Sequence, residues 1–465
     1  LGPGPPAEPA NRMSFAHSTP AEALPQPAES SVDARQLEIL RHEPRNLLAL
    51  AFHFILIRVA WVFKTETVIM PAFLDIIAGS GWIRGCLPLL NRVGQSVPPI
   101  LLSDRLRARP LKNPTLLITT SLMSVPFFLL SGLWAVYWTN PPGWLPVVFL
   151  ACYFWFFACN GLNQMVFGTL QGKLIRPDRR GRLMSVSAIL GSLIAVTCAR
   201  FLMQRWLQLP DGGYTRVFGV TAVGFILAGL CSFAISEPRD ENPPAHRSAR
   251  HLVCSAWQVF CHDRHFRQTG VVAMLFISIQ LLFPHYQALG RESLKPDEVG
   301  FHLMLWVIAQ NVSVGLFSMV MGTLSDRYGN RVVLRSELAV LCLTPLFAIW
   351  LTSRHPEYTR NWYWMVYFML GLTPVTMRTL VNYTLELTRP DNHPQYVSTM
   401  GVCFAVPLVF APLAGGLLEA VGFPVVFCGI AGLIGLGVLL TFRLAEPRFT
   451  SELAPIALPS DEEPS

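Results

Sequence analysis

Twelve runs of predominantly apolar residues, each long enough to cross the ~30 Å hydrocarbon core of a bilayer as a helix, constrain this chain more than anything else in it. Inside a bilayer every backbone polar group has to be satisfied internally, which leaves helices or closed barrels. The runs fall at 47–74, 82–102, 114–137, 144–169, 183–206 and 215–235, and then at 268–289, 298–321, 332–352, 361–385, 396–419 and 422–442; they are designated TM1 to TM12. Only 14% of the residues are charged and 52% are hydrophobic. Soluble domains carry about 25% charge, so a water-soluble enzyme is excluded. The net charge of +7 belongs to loops and not to nucleic-acid binding, because no basic stripe with interleaved aromatics occurs. The ten cysteines lie mostly within apolar runs without a C-x-x-C pair, and read as small buried hydrophobes. No metal or cofactor motif is present, and Walker A, H-E-x-x-H and G-x-S-x-G patterns are absent.

The pattern predicts an all-α integral membrane protein of twelve transmembrane helices in two six-helix bundles, 47–236 and 268–444. Residues 1–46, rich in Pro, Ala, Ser and Glu, are expected to be a disordered tail. Residues 237–267 are expected to link the bundles, and 445–465 to form a second tail. The first methionine is Met13, which leaves open whether residues 1–12 belong to the native protein. If the N-terminus is cytoplasmic, the even-to-odd loops and both tails hold about two dozen Lys and Arg near the membrane, against about seven in the opposite loops. Both termini are therefore expected inside the cell, with the chain in the plasma (bacterial inner) membrane as a monomer. Trp134, Trp138, Trp144, Trp362 and Trp364 are expected to form an aromatic belt at the outer interface. Prolines such as Pro98, Pro99, Pro126, Pro284, Pro374, Pro407 and Pro412 predict kinks.

The bundles are repeats of one another. Ser103-Asp104-Arg105 after TM2 recurs as Ser325-Asp326-Arg327 after TM8, Arg176-Pro177-Asp178 after TM4 as Arg389-Pro390-Asp391 after TM10, and Glu237-Pro238-Arg239 after TM6 as Glu446-Pro447-Arg448 after TM12. Three tripeptides in one order, each at the same kind of helix end, imply a duplicated unit. Six is even, so the halves share an orientation and are related by an axis along the membrane normal.

At this level the chain resembles the major facilitator superfamily of secondary transporters. Gly322, Asp326, Arg327, Gly329 and Arg331 match that family's signature loop between TM8 and TM9. The first copy keeps Asp104 and Arg105 but has Ile100 in place of the glycine. The resemblance implies that these loops form a gate on the cytoplasmic side which stabilises the outward-open state. A glycine there would allow close approach of a neighbouring helix, and the aspartate would meet a helix end or an arginine. The family's antiporter-type Gly-Pro signature is missing from Gly191 to Arg200 on TM5, so the resemblance does not extend to drug-type antiport.

Ionisable groups within spans are costly and normally face a cavity or a partner. TM1 has Arg58, Lys64 and Glu66; TM2 has Asn91, Arg92 and Gln95; Asn163 and Gln164 lie on TM4, Gln280 and His285 on TM7, and Arg378 and Asn382 on TM10. At 100° per residue Arg58 and Glu66 would share a broad face of TM1, with Lys64 pointing elsewhere. The resemblance implies that TM1, TM4, TM7 and TM10 line the central cavity. Glu66 is the proton-coupling candidate, with Arg58, Lys64 or Arg92 beside it; the competing reading makes it a permanent counter-ion. The surplus of deep arginines favours an anionic solute. The sequence thus predicts a secondary transporter of a small organic solute, without nucleic-acid partners. The alternatives are a non-transporting receptor on the same fold and, less favoured, a polytopic membrane enzyme, for which His393 beside Asp391 is the one local candidate.

Overall fold

The computed structural model describes residues 28–107, 109–239, 257–388 and 392–446, besides the isolated Gly2. Among these residues eleven helices are long and apolar enough to span a membrane by length and composition. TM2, Gly81–Arg107, is the twelfth long helix; Arg84, Asn91, Arg92 and Gln95 dilute its hydropathy. TM3 (Asn113–Tyr137), TM4 (Leu145–Leu174), TM8 (Val299–Tyr328), TM9 (Asn330–Thr352) and TM12 (Phe423–Thr441) are single α-helices. Proline in the first turn starts TM3, TM4 and TM12, where its missing N–H costs nothing. Asp263 caps TM7, its carboxylate accepting from His265 N at 2.8 Å and Phe266 N at 3.0 Å.

Other spans are interrupted, and proline accounts for most of the breaks. TM1 runs as Ala28–Phe63, leaves helical geometry, and resumes as Ile69–Ile77. Pro71 cannot donate to the carbonyl four residues back, Thr67, which instead accepts the Tyr367 hydroxyl at 3.5 Å. TM7 (Arg264–Ile277, Phe283–Arg291) and TM11 (His393–Ala405, Ala411–Val421) each contain a 3-10 stretch, Ser278–Leu282 and Val406–Phe410, next to Pro284 and Pro412. TM10 breaks at Gly371-Leu372 just before Pro374. By contrast TM2 and TM3 stay helical through Pro98, Pro99 and Pro126. TM5 changes from α-helix to a π-turn at Ala199–Met203, and TM6 is Tyr214–Leu230 with a 3-10 end.

The two halves repeat their packing partner for partner. In the N-terminal half TM3 packs on TM6, TM2 on TM4, and TM1 on TM5 and TM6; in the C-terminal half TM9 packs on TM12, TM8 on TM10, and TM7 on TM11 and TM12. Between halves TM2 meets TM11 and TM5 meets TM8, as a twofold relation requires. The recurring Glu-Pro-Arg has a physical reason here. Glu237 is buried and accepts from Lys112 N at 2.6 Å and Asn113 N at 2.8 Å at the start of TM3, with Lys173 Nζ at 2.8 Å. Glu446 lies near Gly329 at the start of TM9. Both carboxylates meet the positive end of a helix. Arg389-Pro390-Asp391, Pro447 and Arg448 lie outside the described residues.

Three expectations need correction. The tail over 1–46 is not disordered throughout, since helix begins at Ala28. Glu43, only 3% exposed, pairs with Arg176 at 3.0 Å and Arg179 at 3.3 Å, and Asn46 exchanges hydrogen bonds with the Ser236 backbone at 2.8 and 2.9 Å. Sequence composition cannot show partners more than a hundred residues away. The 237–267 linker is helical over 257–262, and TM7 starts at Arg264 rather than 268; residues 240–256 lie outside the described residues. Trp134 is not a belt residue: it is buried, its indole N–H donating to Asp211 O at 2.8 Å, while Trp138, Trp144 and Trp362 are exposed.

Candidate functional site

The break in TM1 places Lys64, Thr65, Glu66 and Thr67 on non-helical backbone in the middle of the protein. The helical-angle expectation for Arg58 and Glu66 therefore fails, because the helix ends at Phe63. Lys64 does not point away from Glu66 but pairs with it, Nζ to Oε1 at 2.9 Å. Its ammonium is fully buried and lies 3.2 Å from the Trp61 ring centre, 4.2 Å from that of Phe156 and 4.7 Å from that of Phe157. Aromatic faces and one carboxylate thus replace its water. The other Glu66 oxygen accepts from Asn91 Nδ2 at 2.5 Å, and Asn91 Oδ1 accepts from Gln95 Nε2 at 2.5 Å. The i, i+4 spacing of Asn91 and Gln95 on TM2 makes that last bond local.

This chain of polar groups opens onto a cavity of about 180 Å³ between the halves. Glu66, Asn91, Arg92, Gln95 and Tyr153 line it from one half, and Gln280, Phe283, Pro284, Met377 and Leu408 from the other. Arg92 crosses the gap, Nη2 donating to Gly401 O of TM11 at 2.5 Å, while its buried Nε has no hydrogen-bond partner among the described residues. Gln280 reaches Met377 Sδ at 3.6 Å. Arg58 of TM1 donates to Ser192 Oγ at 3.4 Å and is close enough to Arg378 of TM10 for the two charges to repel.

The remaining candidates separate. Asn163 is buried and donates to Thr119 and Thr120 of TM3 at 3.3 and 2.6 Å, away from the cavity. Gln164, Arg378 and Asn382 are exposed on TM4 and TM10. His285 is buried beside the cavity wall, taking Arg84 Nε at 3.1 Å, and Arg84 also pairs with Asp75 at 2.5 Å. Sequence reasoning missed Tyr153, an aromatic among many in TM4, and Thr67, whose hydroxyl donates across the halves to Gln310 at 2.5 Å. It also missed Glu419 of TM11, which accepts from Ser80 Oγ at 3.0 Å and from Gly81 N at the start of TM2. A Cβ on Gly415 would strike the Gly81 carbonyl, so TM2 and TM11 touch backbone to backbone there. These contacts close the halves on the side away from the termini.

On the terminal side the signature loop is a tight joint. Gly329, at φ +86°, ends TM8 and begins TM9 in one residue, a conformation that favours glycine. Ser325 Oγ donates to Asn330 Oδ1 at 2.5 Å, Asn330 Nδ2 to Glu386 at 2.9 Å, and Arg331 Nη2 to Phe442 O at 3.1 Å. Asp326, Arg327 and Arg105 are exposed, and the Asp104 side chain lies outside the described residues. The close approach expected at Gly322 is not made here, since a Cβ there would meet nothing within 4 Å.

The sequence model of the Major Facilitator Superfamily matches residues 271–459, the half that carries the intact signature loop. The fold agrees over far more of the chain. It superimposes on a mutant form of the nucleoside transporter NupG with a TM-score of 0.69 at 11% identity, covering 86% of this chain and 100% of that one. The family match is therefore to the C-terminal half, while the fold is shared across both halves. The fold also matches FucP in the outward conformation, with a TM-score of 0.54 at 12% identity, covering 86% of this chain and 98% of that one. Among curated proteins it is 28% identical over 196 residues to the class C tetracycline resistance protein of Escherichia coli, covering 41% of this chain and 46% of the relative. It is 26% identical over 178 residues to the class H protein of Pasteurella multocida, covering 37% of this chain and 42% of that relative. The match thus spans under half the length of these curated relatives.

Proposed function

We propose that this integral membrane protein carries a small organic anion across the membrane by alternating access of its two halves. The observation that carries the reading is the cavity of about 180 Å³ lined by both halves, with the Nε of Arg92 unpartnered at its wall. Lys64 already neutralises Glu66, so the uncompensated charge lining the cavity is positive, from Arg92; Arg378 follows the wall residue Met377 along TM10, with Arg58 close to it. A guanidinium matches a carboxylate or phosphate edge. Exposed Gln164, Arg378 and Asn382 within spans do not belong against hydrocarbon, which supports an opening between the halves on the terminal side. By the distribution of Lys and Arg that side is cytoplasmic, and the membrane is the cell (bacterial inner) membrane. Alternation would close it by bringing Gly322, Asp326 and Arg327 against the other half near Asp104 and Arg105, with Gly329 and Arg331 holding the joint. The tetracycline of the aligned relatives is not carried over.

Glu66 is the proposed proton acceptor: protonation would release Lys64 and Asn91 together and loosen the TM1–TM2 wall. The test is flux of small carboxylates into proteoliposomes holding the full chain, with and without a pH gradient. Arg92→Gln should weaken solute binding about ten- to hundredfold, the value of a charge-assisted hydrogen bond of about 1.5–3 kcal/mol. Glu66→Gln should abolish pH-driven flux at normal expression; unchanged coupling in that variant removes the proton role. Ligand binding without flux of any bound solute would replace the transporter with a receptor.

A further inference from the structure

Glu337 stands apart from every charge used above. It lies seven residues into TM9, about 10 Å along the helix at 1.5 Å per residue, and is fully buried. Its Oε1 accepts from Thr379 Oγ1 of TM10 at 3.0 Å, and its Oε2 has no hydrogen-bond partner among the described residues. The charged groups of the packed elements turn elsewhere. On TM9 itself Arg335 reaches Thr441 and stacks on Phe442, and Arg331 reaches the Phe442 carbonyl. On TM10 Glu386 takes Asn330, and Arg378 is exposed; on TM8 Asp326 and Arg327 sit exposed at the terminal end and His302 at the opposite end; on TM12 the one titratable group is Cys428, also exposed. His285 on TM7 is held by Arg84 of the other half.

We propose that Glu337 is a proton-binding site of the C-terminal half, held as a neutral carboxylic acid between TM9 and TM10 and separate from the central cavity. Two observations support it. A bare carboxylate sealed in protein and hydrocarbon without a cation is far costlier than the neutral acid. The hydroxyl chemistry also accommodates the acid: Thr376 lies beside Glu337, and both threonine hydroxyls have a backbone acceptor of their own, Leu372 O at 3.1 Å and Val375 O at 3.3 Å, so either can leave a lone pair facing Glu337. A carboxylate gains nothing from that lone pair, whereas an acid can donate its O–H to it. Loss of the proton to water leaves an unpaired anion at the TM9–TM10 contact, two residues from Met377 of the cavity wall along TM10. Occupancy of Glu337 thereby sets how tightly that wall is held, with no solute bound. The proposal does not depend on transport.

The experiment is infrared spectroscopy of the purified full chain in bilayers at neutral pH, with isotope-labelled glutamate to assign carboxyl bands. A protonated-carboxyl band is expected in the wild type, lost in Glu337→Gln and kept in Glu66→Gln. Absence of the band in the wild type, or its survival in Glu337→Gln, overturns the proposal. Melting temperature gives an independent reading. The unfolded chain hands this carboxylate to water, where it ionises above about 4.3, so the wild type should lose melting temperature as pH rises from there until the folded group itself ionises. Glu337→Gln, the isosteric neutral side chain, should lose less; equal slopes overturn the proposal. Should Glu337→Gln not fold, Glu337→Asp must shift the band rather than leave it in place.

Discussion

In the N-terminal half Lys64, Glu66, Asn91 and Gln95 form one hydrogen-bonded chain, of which all but Lys64 line the cavity, whereas the C-terminal half meets the same cavity with Phe283, Pro284, Met377 and Leu408 and the amide of Gln280. Helix packing is nonetheless the same in both. The difference teaches that duplication supplies a scaffold and that chemistry is added to one copy of it. Glu337 of the C-terminal half lies in the TM9–TM10 contact and is not among the residues lining the cavity. One half therefore lines the cavity with a charged, hydrogen-bonded chain and the other with a mainly apolar surface.

The largest test of this contrast is Lys64→Met. It leaves Glu66 unpaired, and removing one member of a buried pair costs about 3–5 kcal/mol. The 22% exposure of the Glu66 side chain places the loss at the lower end of that range. Denaturant unfolding of the full chain in mixed micelles should show the loss, and the double variant Lys64→Met with Glu66→Gln should recover most of it. If the double variant is no better than the single one, the pair is not the organising element of this half. A smaller effect is expected for Glu237→Gln, which weakens the cap of TM3 and the pair with Lys173, hydrogen bonds to charge worth about 1.5–3 kcal/mol. Unchanged stability there would mean that the repeated Glu-Pro-Arg is not a helix-end anchor. Smallest is Gln280→Leu, which gives up only a contact with the Met377 sulfur and should shift stability by less than about 1 kcal/mol. Asn91→Leu, by contrast, strands Glu66 and Gln95 and should cost about 1–3 kcal/mol. Equal effects of these two changes would erase the asymmetry between the halves.

Much of the scaffold was legible before folding. The apolar runs predicted the helices, and the recurring tripeptides predicted the twofold relation that TM2–TM11 and TM5–TM8 packing displays. The candidate site was legible as a set of residues but not as an arrangement. Glu66, Asn91, Arg92, Gln95 and Gln280 do meet at one cavity, while Asn163 is spent on TM3, and Gln164 and Asn382 are exposed. Pro71 was the overlooked signal: treating TM1 as continuous helix put Lys64 and Glu66 on different faces, and the break that Pro71 imposes brings them together.

By itself the sequence determined the solvent, the number of spans and the duplication, because hydrophobic length and helix-end charge are local properties that survive without a fold. Tertiary structure alone decided which polar group neutralises which, that Lys64 is held by three aromatic rings, that Glu337 has a hydroxyl and, among the described residues, no cation, and that TM2 and TM11 touch at Gly81 and Gly415. The reason is physical. In a low-dielectric interior the state of a charge depends on atoms within a few ångströms, and those atoms come from helices far apart in the chain.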